Sequence, residues 1–342
     1  MIKRIIFSFL ALSCLSTVSA QGILTKTKAL TIMMDQNFDV QISQSNLNIA
    51  EINTNIFNSG YLPTVTGTAG ITYNRDNLNV VFQDGRETSL DGAKSDSKNA
   101  GINLNWVVFD GFNRKYNMER NRELLNQGQL NLRSTMENAI ITLFTAYYGV
   151  AQAQINVANL KESLAISKER LVRAQYGYQY GRGSRLDISN AQVDVNNDSI
   201  NLINAQQLFQ NNRRDLNLVL NQSPNTIYEI DTSLTFSEIE DKSLFQEQML
   251  QNNVQLLLAK SGIFVSEKDI QLSSSNYMPT VSLTGAYNYR QGNNNRASFL
   301  SSNTNTGLTG GVNLAWDLFD GGNTINNRSI AQINREISET TF

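Results

Sequence analysis

Histidine is absent from this sequence. That absence removes the commonest general base and the commonest neutral metal ligand. Cysteine occurs once, as Cys14, inside a stretch that reads as an export leader. The mature chain is therefore expected to hold no thiol, no disulfide and no cysteine metal site. No phosphate-binding glycine loop and no clustered carboxylate motif occurs, which points away from an enzyme and from cofactor or metal chemistry. A net charge of -2 argues against a nucleic-acid surface. The 3 prolines each stand at a break, Pro63 and Pro279 at strand starts and Pro224 after a helix. So little proline favours long uninterrupted elements. After Ala20 no run is apolar enough to cross a bilayer as a helix, so any membrane insertion must use strands.

The leader is legible in residues 1–20. Lys3 and Arg4 precede an apolar core, Ile5 to Leu15, and Val18-Ser19-Ala20 forms a small-residue cleavage site. The core falls short of the roughly 20 residues of a spanning helix. Ala11-Leu12-Ser13 before Cys14 fits a lipid-anchored leader poorly.

What the chain does have, it has twice. Tyr61-Leu62-Pro63-Thr64-Val65 returns as Tyr277-Met278-Pro279-Thr280-Val281. Gly101 to Trp106 returns as Gly311 to Trp316, and Phe109-Asp110-Gly111 as Phe319-Asp320-Gly321. The copies lie roughly 210 to 216 residues apart, far beyond a solenoid period. The expected module is helix, strand, polar loop, strand, helix. The expected organisation is a leader at 1–20 and a first repeat at 21–222, with a β-hairpin at 62–109 and a helical hairpin at 113–220. A connection at 223–242, with one short strand, leads to an incomplete second repeat at 243–342, whose hairpin spans 278–319.

From Asn113 to Tyr180 an apolar 3-4 spacing holds without slippage. It runs from Leu132 through Leu143, Val150 and Leu160 to Tyr178, and Ser167 is its one polar member. This is coiled-coil spacing, and at 1.5 Å per residue the helix would be roughly 100 Å long. Shorter helices are expected at Leu24 to Asn58, Leu186 to Leu220 and Ser243 to Ser274. Two of them, stacked end to end, would lie beside the long one.

The strands alternate with period 2. Val65, Ile71 and Tyr73 oppose Thr64, Thr66 and Thr72, and Ile102, Leu104 and Trp106 oppose Asn103 and Asn105. In the second copy Tyr287, Tyr289, Val312, Leu314 and Trp316 oppose Thr284, Asn288 and Asn313. Such alternation is the signature of a membrane barrel strand, and Tyr73, Trp106, Tyr287, Tyr289 and Trp316 suit an interfacial girdle near the strand ends. Asn74 to Asn99 and Arg290 to Thr306 read as long polar loops. Four strands cannot close a barrel, and open edges are not tolerated in lipid. Two copies would give about eight strands, three about twelve.

With its duplicated Leu/Met-Pro-Thr-Val entries, its Phe-Asp-Gly exits and Tyr180-Gly181-Arg182-Gly183-Ser184-Arg185-Leu186-Asp187-Ile188 between the long helices, the chain resembles the TolC-like outer membrane efflux protein family. The resemblance covers nearly the whole mature chain. It implies a mixed fold of long α-helices and transmembrane β-strands. In a homotrimer the hairpins would share a 12-stranded β-barrel in the outer membrane of a Gram-negative bacterium, and coiled-coil hairpins would form a periplasmic tunnel. It also implies a periplasmic adaptor and an inner-membrane pump as partners, and passive export in a tripartite efflux or type I secretion system. Gly181, Arg182, Gly183, Ser184 and Leu186 would form the adaptor-contact tip. Pro63, Pro279, Asp110, Gly111, Asp320 and Gly321 mark strand–helix transitions, where Asp110 and Asp320 are expected to cap the outgoing helices. The sequence departs from the family at Phe342, where the second outgoing helix has barely begun, so a fragment is expected. The competing reading is a structural periplasmic or surface coiled-coil protein without transport.

Overall fold

The computed structural model describes residues 23–233 and 242–342. The leader, and residues 234–241 of the connection, lie outside the described residues. Contacts divide the chain into two compact units. One holds the residues up to Gln44 together with Leu132–Phe245; the other holds Ser45–Asn131 and Gln246–Phe342.

Helices α1 (Lys26–Gln36) and α2 (Phe38–Asn53) occupy the place of the single helix expected at Leu24 to Asn58, followed by a 3-10 turn at Ile56–Asn58. The break falls at Asn37, whose backbone is extended. Its Oδ1 accepts from the Asp39 and Val40 amides at 2.9 and 3.1 Å. The asparagine offers the backbone a cap that competes with helix continuation. Strands β1 (Thr64–Val81) and β2 (Glu87–Asp110) lead to α3 (Asn113–Gln179), then α4 (Arg185–Val219). In the second repeat α5 (Lys242–Asn252) and α6 (Val254–Ser275) are split in the same way. Asn253 Oδ1 accepts from the Gln255 and Leu256 amides at 2.9 and 3.1 Å. Strands β3 (Thr280–Asn293) and β4 (Ser302–Ala315) then lead to α7 (Asn323–Thr341).

The first unit centres on a cluster of Leu24, Ala29, Met33, Leu143, Tyr147, Val150, Leu216, Leu220 and Ile230. The connection adds a parallel bridge, Leu24 to Ile230, where one short strand was expected. Tyr147 is fully buried. Its hydroxyl donates to the Leu24 carbonyl at 2.7 Å, with the Asp231 carbonyl 3.3 Å away. Burial pushes its phenol above the ordinary tyrosine range, with the Asp231 charge adding to the effect. Along α3 and α4 the polar seam member finds its partner. Ser167 is buried and donates to Asp198 Oδ2, and Ser163 donates to the same oxygen at 3.3 Å.

In the second unit the four strands form one antiparallel sheet in sequence order. The strands are 18, 24, 14 and 14 residues long. They run through most of what reads as loop at Asn74 to Asn99 and Arg290 to Thr306. There polar residues continue the ladder, Tyr73 opposite Asp96 and Asn293 opposite Ser302, so polarity alone did not mark a loop. Backbone pairing decides the matter, since each paired amide and carbonyl is satisfied without regard to side chain. No helix among the described residues is long and apolar enough to cross a membrane.

Replacing Tyr147 with Phe leaves the Leu24 carbonyl without its donor. We expect a loss of about 1–3 kcal/mol, read as a lower midpoint in denaturant. An unchanged midpoint would show that the hydroxyl bond does not stabilise this core.

Candidate functional site: sheet, junctions and helical tip

Register puts the two chemistries of the sheet on opposite faces. Val65, Leu104, Gly285 and Gly310 stand in one row, and Gly67, Ile102, Tyr287 and Leu308 in another. With Ile71, Tyr289, Val312 and Leu314 they form an apolar face. Thr66, Asn103, Ala286 and Thr309 share a row on the other face, as do Thr68, Gly101, Asn288 and Gly307. The apolar face is open, with Leu308 82% and Val312 69% exposed. An exposed apolar surface of this kind marks a site of contact with lipid or protein. Of the predicted girdle, Trp106 lies near the end of β2 and Trp316 just beyond β4. Tyr73, Tyr287 and Tyr289 stand in mid-strand, because the strands continue past their expected ends.

Among the described residues, the outer strands β1 and β4 each have a strand neighbour on one side only. Pro63 and Pro279 immediately precede β1 and β3, where the missing N–H costs no ladder bond. At the same end the tryptophans are tethered. Trp106 Nε1 donates to the Tyr61 carbonyl at 3.0 Å, and Trp316 Nε1 to the Tyr277 carbonyl at 3.1 Å.

Both strand-to-helix junctions are built on an aspartate. Asp110 Oδ2 accepts from the Arg114 amide at 3.0 Å and from Arg114 Nε at 2.9 Å. The Arg114 guanidinium also donates to the carbonyls of Gly60, Val107 and Val108 at 3.1, 2.7 and 3.0 Å. It lies 4.9 Å from the Tyr61 ring centroid. Register shifts between Val107 and Phe109, so Arg114 satisfies carbonyls that the irregular ladder frees. Asp320 does the simpler job, accepting from the Thr324 hydroxyl and amide at 2.5 and 2.8 Å. Those bonds, the hydroxyl first, hold its carboxyl below the usual range. Asn113 Nδ2 donates to Ser275 Oγ at 3.0 Å and ties the start of α3 to the end of α6. A polar crevice of ≈ 550 Å³ opens beside them, lined in part by Asp110, Arg114, Asp317 and Asp320.

Gly111 has φ 65°, and a Cβ there would stand 2.5 Å from the Ser275 carbonyl and 2.6 Å from Met278 Cβ. Gly321 has φ 71° but open space around it. Phe112 also sits at φ 68°, where the second repeat has Gly322. Packing of its ring edge-on to Phe109 at 5.4 Å helps hold it there.

The tip between α3 and α4 is a tight helical reversal. Gly181, at φ 73°, closes α3. Its amide donates to the Tyr178 carbonyl at 3.0 Å and the Arg182 amide to the Gly177 carbonyl at 2.7 Å, a Schellman pair. A Cβ on Gly183 would stand 3.3 Å from the backbone of Gly177 and Tyr178. Ser184 Oγ then accepts from the Asp187 amide at 3.2 Å, and Asp187 Oδ2 accepts from the Ser184 amide at 2.8 Å, a capping box. The Ser184 amide and hydroxyl hold the Asp187 carboxyl below its ordinary range. Tyr180 and Leu186 are exposed here, at 73% and 67%, and Arg182 is exposed with them.

The long helices and the amphipathic antiparallel sheet define the architecture of outer-membrane efflux channels. Residues 30–222 and 246–342 match the outer membrane efflux protein family, and the chain belongs to it. That family resides in the outer membrane and is a family of channels. Outer membrane protein TolC of Vibrio cholerae serotype O1 is 26% identical over 276 residues, covering 78% of this chain and 58% of that protein. Outer membrane efflux protein BepC of Brucella suis biovar 1 is 27% identical over 169 residues, covering 49% and 34%. Among solved structures, the Campylobacter jejuni CmeC outer membrane channel superposes with a TM-score of 0.73 at 15% identity, covering 92% of this chain and 66% of that one. The chain thus spans little over half the length of the first curated relative.

Gly321→Ala is expected to cost about 1–2 kcal/mol from left-handed strain alone. Gly111→Ala should cost clearly more, because the Ser275 carbonyl is also in the way. Equal midpoint shifts would refute the contact argument. At the tip the sign of the pH dependence follows from a depressed carboxyl. The Asp187 cap is present above the ordinary aspartate value of about 3.9 and is lost as pH falls through the lower folded value. Asp187→Ala should lower the amide protection factors at 185–188 at neutral pH, and acidification should lower them in the parent protein, each rate being compared with the intrinsic exchange rate at the same pH. Unchanged exchange in the variant would remove the cap as a cause of tip order.

Proposed function

We propose that this chain is the outer-membrane exit duct of a tripartite export assembly. In this reading three copies close a barrel of about twelve strands, and their helices build a periplasmic tunnel. The observation that carries the reading is the sheet, with one apolar face and two strands lacking outer neighbours. In hydrocarbon each unpaired backbone group costs about 2–7 kcal/mol. A domain's whole stability is about 5–15 kcal/mol, so a few bare groups would exceed it. The edges must therefore be paired by further strands, which in this reading belong to other copies.

The polar rows of Thr, Asn and Ser would line the lumen and the apolar rows would meet lipid. Tyr73, Trp106, Tyr287, Tyr289 and Trp316 would serve the interfaces. Transport is passive and uses no cofactor; the energy comes from an inner-membrane pump. A periplasmic adaptor would meet the tip at Gly181, Arg182, Gly183, Ser184 and Leu186, where exposed Tyr180, Leu186 and Arg182 offer apolar and cationic contact. The cargo class is that of efflux or type I secretion.

The test is fractionation of the full-length protein. We expect an outer-membrane trimer whose gel migration changes on heating. A soluble monomer would overturn the duct. Within the trimer, Val312→Lys, on the apolar face, should cost about 2–4 kcal/mol if it stands near the bilayer midplane. Asn313→Lys, on the polar face, should leave assembly intact and shift ion selectivity toward anions. The reverse pattern would invert the assignment of faces.

A further inference from the structure

Toward the end of the sheet away from the helices, the apolar face runs into a charged border. Three successive rows carry no charge: Val65 with Leu104, Gly285 and Gly310; Gly67 with Ile102, Tyr287 and Leu308; Ala69 with Ala100, Tyr289 and Thr306. The next row, Ile71 with Lys98, Gln291 and Thr304, brings the first cation. Two rows further, Arg75 stands opposite Lys94 on the same face. Arg75, Lys94 and Lys98 are all exposed, and among the described residues no ion pair engages them. The carboxylate in the row between, Asp96, accepts from Asn293 Nδ2 at 2.9 and 3.1 Å. Arg75 arches over Gly92, where a Cβ would stand 3.0 Å from its Nε.

Next to Lys98 the apolar face is hollow. An apolar cleft of ≈ 420 Å³ is lined in part by Gly67, Ala69, Ala100, Ile102, Tyr287 and Tyr289. Small residues leave the space and the tyrosines border it. A Cβ on Gly67 would meet nothing within 4 Å, so no internal packing asks for glycine there. Glycine inside a strand weakens it and suits the close approach of another molecule. The depth of the border also fits a membrane. Lys98 stands eight residues from Trp106 along β2, about 27 Å of strand. At barrel tilt that is roughly 20 Å of depth, and the lysine stem carries its charge further, toward the edge of an apolar band about 25 Å tall.

We infer that this face holds a binding site for an anionic lipid whose headgroup bears phosphate. One acyl chain fills the cleft beside Gly67, Ala69 and the tyrosines. Lys98 meets the phosphate, and Arg75 with Lys94 meets the outer part of the headgroup, where a guanidinium can bind two oxygens at once. The inference rests on the outer-membrane duct proposed above and names the lipid that its barrel selects. A lipid fits better than a free anion because the cations border an apolar surface rather than line a polar pocket. Lys98 is one row, about 7 Å, from the cleft, so a single amphipathic ligand spans both.

The test uses the full-length protein in phosphatidylcholine vesicles. These carry a trace of phosphatidylglycerol or phosphatidylcholine with a diazirine in one acyl chain, and adducts are mapped by peptide. Phosphatidylglycerol should label the segment holding Tyr287 and Tyr289 about fivefold more than phosphatidylcholine does, the effect of about one cation at a membrane surface. Lys98→Gln combined with Arg75→Gln and Lys94→Gln should abolish that preference while labelling by phosphatidylcholine persists. Gly67→Leu, where a side chain has room, should cut labelling of the segment by both lipids. Equal labelling by the two lipids in the parent protein, or a preference that the triple variant keeps, overturns the site and leaves the duct standing. Absence of label from either lipid, in protein that fractionates with the vesicles, overturns the lipid-facing assignment of this face and with it the duct.

Discussion

Backbone hydrogen bonding in hydrocarbon is the constraint on which the rest depends. The sheet offers lipid an apolar face, which is favourable, and two strands without outer neighbours, which is not. Side chains cannot repair a bare edge, because the unpaired groups belong to the main chain. Only another strand can. A requirement for further strands thus follows from strand order and face chemistry, and in the proposed assembly other copies supply them.

Duplication meets that constraint with one design used twice. Asn37 and Asn253 interrupt the incoming helices at equivalent points, Trp106 and Trp316 make the same bond to a tyrosine carbonyl, and Asp110 and Asp320 open the outgoing helices. The copies diverge where their neighbours differ. Arg114 gathers three carbonyls beside an irregular ladder, whereas Thr324 needs only Asp320. Likewise α3 meets α6 through Arg120 with Asp269 and Glu119 with Lys268, whereas α7 carries Ile330 and Ile333 where α3 has Arg120 and Glu123.

Much of this was legible in the residues. Period-2 alternation separated the faces of the sheet, the 3-4 spacing located α3, and Gly181, Ser184 and Asp187 announced the tip. Strand length was not legible, because from Asn74 to Asn77 and from Arg290 to Asn293 the run turns polar and the alternation lapses, while main-chain pairing continues. The helix breaks were hidden because a single asparagine, neutral in most windows, makes the cap. Arg114 was missed although it stands four residues after Asp110, a spacing that was available. Its carbonyl partners, Gly60 among them, become neighbours only when the strands are paired. Phe112 in the left-handed region was hidden too, though Gly322 at the matching position was a signal.

Amide hydrogen exchange of the membrane-embedded protein, resolved along β1 and β4, tests the central claim most directly. If other copies pair the edges, outward-facing amides of β1 and β4 should be as protected as those of β2 and β3. Rapid exchange confined to β1 and β4, with β2 and β3 protected, would mean that the edges stay open in the membrane and would contradict a shared barrel.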